Sequence, residues 1–109
     1  MYHALPHGLH DPLGKSVAAE IYVDVETVYA RKRAALAAHA SQKSWLDVSQ
    51  GMDSYLSALD DASRAVAAQT GRFAYAEGWR RHSHLGLSTK PQDPLRDALG
   101  DLCWVNPRY

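Results

Sequence analysis

The strongest constraint on the fold of this chain is an amphipathic segment that runs from Met52 to Gln69. Its apolar side chains recur every three or four residues, which is the period of one helix face. The apolar positions are Met52, Tyr55, Leu56, Leu59, Ala62 and Val66. Asp60 and Arg64 are expected to pair on the solvent side, and Gly71 supplies a natural stop. The pattern predicts a helix over 52–69 with its apolar face, including Tyr55, in the core.

Two further helices are predicted, one before and one after this segment. Asp24 occupies an N-cap position before a run rich in Ala, Arg and Lys that contains no Gly or Pro, which predicts a helix over about Val25–Lys43. Asp93 followed by Pro94 combines an N-cap acid with proline at the first helical position. That pair predicts a last helix over Pro94–Cys103.

Strand signals are weaker and fewer. Residues 19–25 alternate apolar and polar side chains around Ile21 and Val23, and residues 1–5 form a second short stretch before a segment punctuated by Pro and Gly. Phe73–Arg81 is rich in aromatic residues and fits either a short helix or an extended segment. The expected chain is therefore mainly α-helical with two short strands. Two strands make no independently stable sheet, so we expect one partial domain over 1–109, with a strand-and-loop part over 1–25 and a helical part over 26–109.

Composition narrows the function classes. The chain has 109 residues, with 12 basic and 12 acidic side chains, so its formal charge is zero. That balance removes the long-range attraction on which nucleic-acid binders depend, and no apolar run approaches the roughly 20 residues that span a bilayer. The first residues lack the pattern of a secretory signal. A single cysteine, Cys103, predicts a reducing, cytoplasmic setting.

Two segments resemble the PIG-L/LmbE-like de-N-acetylases. Residues 32–42 read KRAALAAHASQ, which is similar to the family's K-x-x-A-L-x-x-H-x-S-Q helix, and residues 75–80 read YAEGWR, which is similar to its Y-A-E-x-F-R segment with Trp in place of Phe. The opening MYHALP resembles a family strand that ends in an aromatic, aliphatic and proline cluster. The resemblance covers about residues 1–87.

The resemblance implies a Rossmann-like α/β parent fold, of which this chain is the C-terminal part, and zinc-dependent hydrolysis of an N-acetyl group on an N-acetylglucosamine-type sugar. The family holds zinc through A-H-P-D-D-E and H-P-D-H motifs, and neither motif occurs in this sequence. The first motif also supplies the general base. Because amide hydrolysis of this kind needs three protein ligands, a water position and a base, the chain is expected to bind no zinc through its own motifs and to be inactive alone.

The candidate residues for a pocket are Lys32, His39, Tyr75, Glu77 and Arg80, with no catalytic residue and no metal ligand assigned. Lys32 and His39 share a helical stripe with Leu36, an apolar setting in which polar groups need partners or a wet cavity. Either residue is structural, with Lys32 ion-paired to Glu77 and His39 fastening the helix, or it lines the pocket. Glu77 contacts substrate or a metal-bound water, or it pairs with a neighbouring arginine.

The remaining histidines and the cysteine have simpler interpretations. His7 and His10 have an H-x-x-H spacing and are candidate metal ligands together with His3, but they lie in a loop rich in Gly and Pro, which favours surface histidines. His82 and His84 are expected to face solvent. Cys103 is expected to be a small buried hydrophobic residue. Two functions follow as alternatives: a deacetylase part that joins an N-terminal portion carrying zinc, or a non-catalytic helical interaction or ligand-binding module that forms a homodimer.

Overall fold

A computed structural model of the chain describes residues 1–39 and 52–109. In these ranges four strands form one antiparallel sheet in the order β1-β3-β2-β4, accompanied by three α-helices and three short 3-10 turns. The strands are β1 (Tyr2–Ala4), β2 (Ile21–Asp24), β3 (Ala76–Arg81) and β4 (Cys103–Val105). The helices are α1 (Tyr29–Ala37), α2 (Met52–Ala68) and α3 (Pro94–Leu99). The prediction of a mainly helical part of a Rossmann-like fold, with two short strands, is wrong, because the sheet has four strands and every pair is antiparallel.

The sheet is centred on β2 and β3, and β3 is the segment whose structure the sequence left open. Gly78 explains that ambiguity. A Cβ atom at this position would lie 2.5 Å from Leu5 Cδ1 and 3.0 Å from Ala19 Cβ. The glycine therefore permits close approach of the chain that precedes β2, which is a frequent reason for glycine inside a strand.

The core is built on both faces of β2. Ile21, Tyr22 and Val23 are all buried although neighbouring strand residues point to opposite faces. The Tyr22 hydroxyl donates at 2.6 Å to Oε1 of Gln69, which is the first residue after α2. Val23 belongs instead to a cluster that includes Leu95 and Leu99 of α3. The long helix and the short last helix therefore cover opposite faces of the sheet.

The predicted helices differ in how well their bounds agree with the structure. The prediction for α2 is confirmed to within one residue, and Leu56 is buried, but Tyr55 is 43% exposed, so its assignment to the core is wrong. The first helix begins only at Tyr29, after a 3-10 turn at Glu26–Val28, and ends at Ala37. Residues 40–43 of the predicted helix lie outside the described residues.

The end of the last helix is also corrected. Asp93 caps it as predicted, since its Oδ1 accepts from the backbone N of Arg96 at 3.3 Å. The helix stops at Leu99, however, because Gly100 adopts a positive φ of 53° and a 3-10 turn leads into β4.

None of the helices in the described ranges is long and apolar enough to cross a membrane.

Candidate functional site

An ion pair joins the two sequence segments that carry the family resemblance. Lys32 Nζ on α1 lies 2.8 Å from Glu77 Oε1 on β3, and the two side chains are 30% and 34% exposed. The helix brings Lys32 to this position because α1 packs against α2, which in turn packs against β3. The pairing of Lys32 with Glu77, one of the interpretations offered by the sequence, is present in the structure.

The pair borders a small pocket between α2 and the sheet, which we call the Lys32–Glu77 pocket. Its volume is about 240 Å³. The walls are mainly apolar and come from the chain after β1, from α2 and from β3. Besides the ion pair, the lining includes Leu5, Leu59, Ser63, Val66, Gly78 and Trp79. An apolar floor with one cation and one anion at its border is suited to a small polar ligand with an apolar face.

Tyr75 lies beside this region as part of an aromatic stack. Its ring stacks on that of Tyr29, with centroids 3.9 Å apart and planes at 11°. The Arg64 guanidinium donates to the Tyr75 hydroxyl at 2.9 Å. This predicted site residue is therefore held by two side-chain contacts, both to residues outside the quoted motifs.

The Tyr29 hydroxyl is the most strongly perturbed titrating group of this region. It donates a hydrogen bond to Asp60 Oδ1 on α2. Burial, and then the bond to the Asp60 carboxylate, raise the pKa of Tyr29 to about 12. The same bond, followed by the nearby Arg33 guanidinium, lowers the pKa of Asp60 against the opposing effect of desolvation. This contact connects α1 to α2 and fixes the ring on which Tyr75 stacks.

Two other candidate residues lie apart from the ion pair. His39 is exposed and follows α1, with its backbone N donating to the Leu36 carbonyl at 3.2 Å, so within the described residues it does not line the Lys32–Glu77 pocket. Arg80 is half-buried, and its Nε is buried with no hydrogen-bond partner among the parts of the chain that the structure describes.

The neighbouring arginines form pairs other than those the sequence suggested. Arg81 bonds Glu20 through two guanidinium nitrogens, at 2.9 and 3.1 Å, rather than reaching Glu77. Arg64 approaches Asp61 at 3.8 Å. Asp60 instead accepts from the Arg33 guanidinium at 3.3 Å, so the expected exposed pairing of Asp60 with Arg64 is replaced by a bridge between α1 and α2.

A zinc site needs at least three histidine, cysteine or carboxylate ligands from the protein. Among residues 1–39 and 52–109, no group of three or more His, Cys, Asp or Glu side chains is placed to hold an ion. His7 and His10 are exposed, and His10 Nδ1 contacts the Gly8 carbonyl oxygen at 2.7 Å. Burial raises the pKa of the half-buried Cys103 thiol. A three-ligand zinc site therefore does not fit this part of the chain, and no hydrolytic step is assigned to it.

Comparison with protein-family models, with curated proteins and with solved structures found no match to this chain. The family resemblance accordingly rests on the quoted sequence segments.

The aromatic stack is the part of the site that sequence reasoning missed. Tyr29 precedes Lys32 by three residues and so lies on the same side of α1, one turn earlier. That spacing is a signal that the two side chains belong to one region. Nothing local indicates that the partner of Tyr29 is Asp60, because 31 residues separate them in the sequence.

Proposed function

We propose that this chain forms part of the sugar-binding wall of a zinc-dependent N-acetyl deacetylase, with the zinc ligands and the general base contributed by residues outside this sequence. The observation that carries the proposal is the Lys32–Glu77 ion pair. It places Lys32, the first residue of the KRAALAAHASQ segment, beside Glu77 of the YAEGWR segment at a pocket, although 45 positions separate the two residues. We place the assembled enzyme in the cytoplasm.

The chemistry of the pair suits a sugar hydroxyl. Lys32 offers only hydrogen-bond donors and an ionised Glu77 only acceptors, whereas a hydroxyl can do both. One hydroxyl can therefore accept from Lys32 and donate to Glu77, so that each charged group has a hydrogen-bond partner. Each side chain is about one-third exposed, so both are accessible to a ligand and neither has to be uncovered first.

The dimensions of the pocket support a partial site. At about 240 Å³ it is smaller than the roughly 300–1,000 Å³ typical of complete small-molecule sites. A second surface packed against the pocket would enlarge it, and in this proposal the zinc-bearing part of the enzyme supplies that surface.

The proposal is tested by titrating N-acetylglucosamine into the isotope-labelled full chain and following its amide and indole resonances. We expect saturable shifts for Lys32, Glu77 and Trp79. Lys32→Met removes the ammonium donor and keeps most of the apolar stem, so it should weaken binding more than tenfold, which is about 1.4 kcal/mol or more.

The matched control is Arg33→Met, which changes the adjacent cation of α1. Arg33 pairs with Asp60 and does not line the Lys32–Glu77 pocket, so binding should persist. Absence of saturable shifts in the unsubstituted protein would contradict the proposal. Equal loss in both variants would also contradict it, because the effect would then follow charge rather than position.

A second candidate function is supported by an apolar groove along α2 that adjoins the Lys32–Glu77 pocket. The segment after β1 and one face of α2 enclose about 620 Å³. The lining is mainly apolar and includes Leu5, Pro6, Leu9, Ala58, Ala62, Ala65 and Val66. A homodimer that covers this groove would make the chain a non-catalytic interaction or ligand-binding module.

The dimer is tested by light scattering during gel filtration over a range of protein concentrations. Ala62→Glu places a charge in the groove and should shift a dimer to monomer, whereas Ala35→Glu on the exposed side of α1 should not. A monomer at every concentration would contradict this second function and leave the first unaffected.

A further inference from the structure

Two histidines far apart in the sequence meet at the outer edge of the sheet. His3 lies on the edge strand β1, and His82 directly follows β3, where its backbone N donates to the Met1 carbonyl at 3.0 Å. His3 Nε2 and His82 Nδ1 are 2.6 Å apart. Both side chains are exposed, so an ion in solution can reach them.

The strand register explains why the two rings meet. Arg80 is the direct partner of His3 across the β1–β3 ladder. His82 is two residues further along, so it points to the same face and is the diagonal neighbour of His3. The ring centroids are 4.9 Å apart with planes at 37°. The rings therefore meet through their nitrogens rather than by stacking.

We propose that His3 and His82 form a two-histidine binding site for a divalent transition-metal ion, with water completing its coordination. Imidazole nitrogen is a good ligand for Ni²⁺, Cu²⁺ and Zn²⁺. In the metal-free pair one of the two facing nitrogens carries the shared hydrogen. When the ion binds, that hydrogen moves to the other nitrogen of the same ring, so a neutral pair releases no proton.

The spacing of the nitrogens favours ions that accept ligands at right angles. With metal–nitrogen bonds of about 2.0–2.1 Å, adjacent ligands at 90° have nitrogens about 2.9 Å apart, whereas tetrahedral ligands have them about 3.3 Å apart. The observed 2.6 Å must widen less for the first geometry. Square-planar or tetragonal coordination is typical of Cu²⁺ and Ni²⁺, so we expect these ions to bind more tightly than Zn²⁺.

The surrounding charges set the strength of the site. Arg80 is opposite His3 on the same face and its positive charge opposes a cation. Arg81, on the other face, is already paired with Glu20 and approaches Asp93 at 3.9 Å. No carboxylate among the described residues joins the two imidazoles as a third ligand. The site is therefore expected to bind an ion reversibly rather than to hold a structural metal.

The test is calorimetric titration of Ni²⁺ into the full chain, free of any histidine tag, at about pH 7.5, above the ordinary imidazole pKa. We expect one ion per chain. His3→Gln and His82→Gln should each weaken binding more than about tenfold, since even the loss of an outer partner of a ligand costs a metal site that much. His10→Gln, another exposed histidine of the N-terminal region, is the matched control and should bind like the unsubstituted chain.

A second readout separates the site from loss of folding. Because a ligand that binds only the folded state stabilises it, Ni²⁺ should raise the melting temperature of the unsubstituted chain and of His10→Gln, but not of the His3 or His82 variants. Equal binding by His82→Gln and the unsubstituted chain would overturn the proposal. A stoichiometry of one ion per two chains would also overturn it, because the ion would then bridge separate molecules.

Discussion

Replacing Tyr29 with phenylalanine removes one hydroxyl from a buried contact and leaves the ring in place. Tyr29 is only 7% exposed, and its hydroxyl donates to Asp60, which also accepts from Arg33. Hydrogen bonds to charged groups contribute about 1.5–3 kcal/mol. Because Asp60 keeps its arginine partner in the variant, we expect the free energy of unfolding at neutral pH to fall by about 1–2 kcal/mol.

The same contact predicts how that difference depends on pH. The pKa of Tyr29 rises from 10.0 to about 12 in the folded chain. A raised folded-state pKa contributes stability that is complete below the unfolded value and is lost as pH rises through the folded value. At pH 11, one unit above the unfolded-state pKa, about 1.4 kcal/mol of the contribution of this hydroxyl is lost. The gap between the two proteins should therefore narrow in the alkaline range.

Urea unfolding at neutral pH and at about pH 11, followed by far-UV circular dichroism, measures this gap. The comparison cancels other groups that titrate in the same range, because they are present in both proteins. Tyr55→Phe is the control, since that side chain is 43% exposed, and its gap should stay near zero. A Tyr29→Phe gap that is equal at both pH values would refute the reasoning.

Three other substitutions have defined outcomes in the same urea assay. Gly78→Ala places a Cβ atom 2.5 Å from Leu5 Cδ1. The resulting overpacking should lower the free energy of unfolding by about 1–3 kcal/mol, and adding Leu5→Ala should recover part of this loss. Arg81→Gln removes the charged guanidinium that donates twice to the Glu20 carboxylate, at 2.9 and 3.1 Å. It should cost about 1 kcal/mol, because the arginine is partly solvated, with a smaller additional loss when Glu20→Gln is combined with it. Lys32→Met should change stability by less than about 1 kcal/mol, because the pair with Glu77 is partly solvated.

Each of these results has a contrary outcome that is easy to recognise. Gly78→Ala with unchanged stability would mean that Leu5 moves aside at no cost. Additive losses for Arg81→Gln and Glu20→Gln would mean that the two groups do not interact. A large loss for Lys32→Met would assign the ion pair to the stability of the fold rather than to the binding of a ligand.

The helices that the sequence predicted well are those whose signals are local. The period of α2 and the Asp93–Pro94 start of α3 depend on residues within a few positions of one another. Periodicity identifies an apolar face, however, and not what covers it. Tyr55 belongs to that face of α2, yet it is 43% exposed.

The strands were harder to predict because their stability comes from distant partners. β4 has three residues and exists by pairing with β2, about 80 positions earlier in the chain. In β3, Gly78 counted against a helix without indicating a strand, since its reason is the approach of Leu5 and Ala19. Because β4 pairs with the free edge of β2, β2 becomes an inner strand of a four-stranded sheet that the sequence did not predict.

The part of the candidate site that could be predicted from the sequence is the pair of opposite charges in the two segments that resemble the family. An ion pair between Lys32 and Glu77 is one of the two interpretations that the sequence offers for Lys32, and the structure contains it. His39 was placed on a buried stripe because the helix was expected to continue to residue 43, whereas α1 ends at Ala37 and leaves this histidine exposed.

The central claim, that this chain completes a zinc-dependent N-acetyl deacetylase, is tested most directly by native mass spectrometry of the chain isolated from the cells that produce it. We predict that the 12.0 kDa chain is recovered in a complex with a larger polypeptide that carries zinc, and that this complex releases acetate from N-acetylglucosamine. Recovery of the chain alone, or of its dimer, without zinc and without acetate release would contradict the claim.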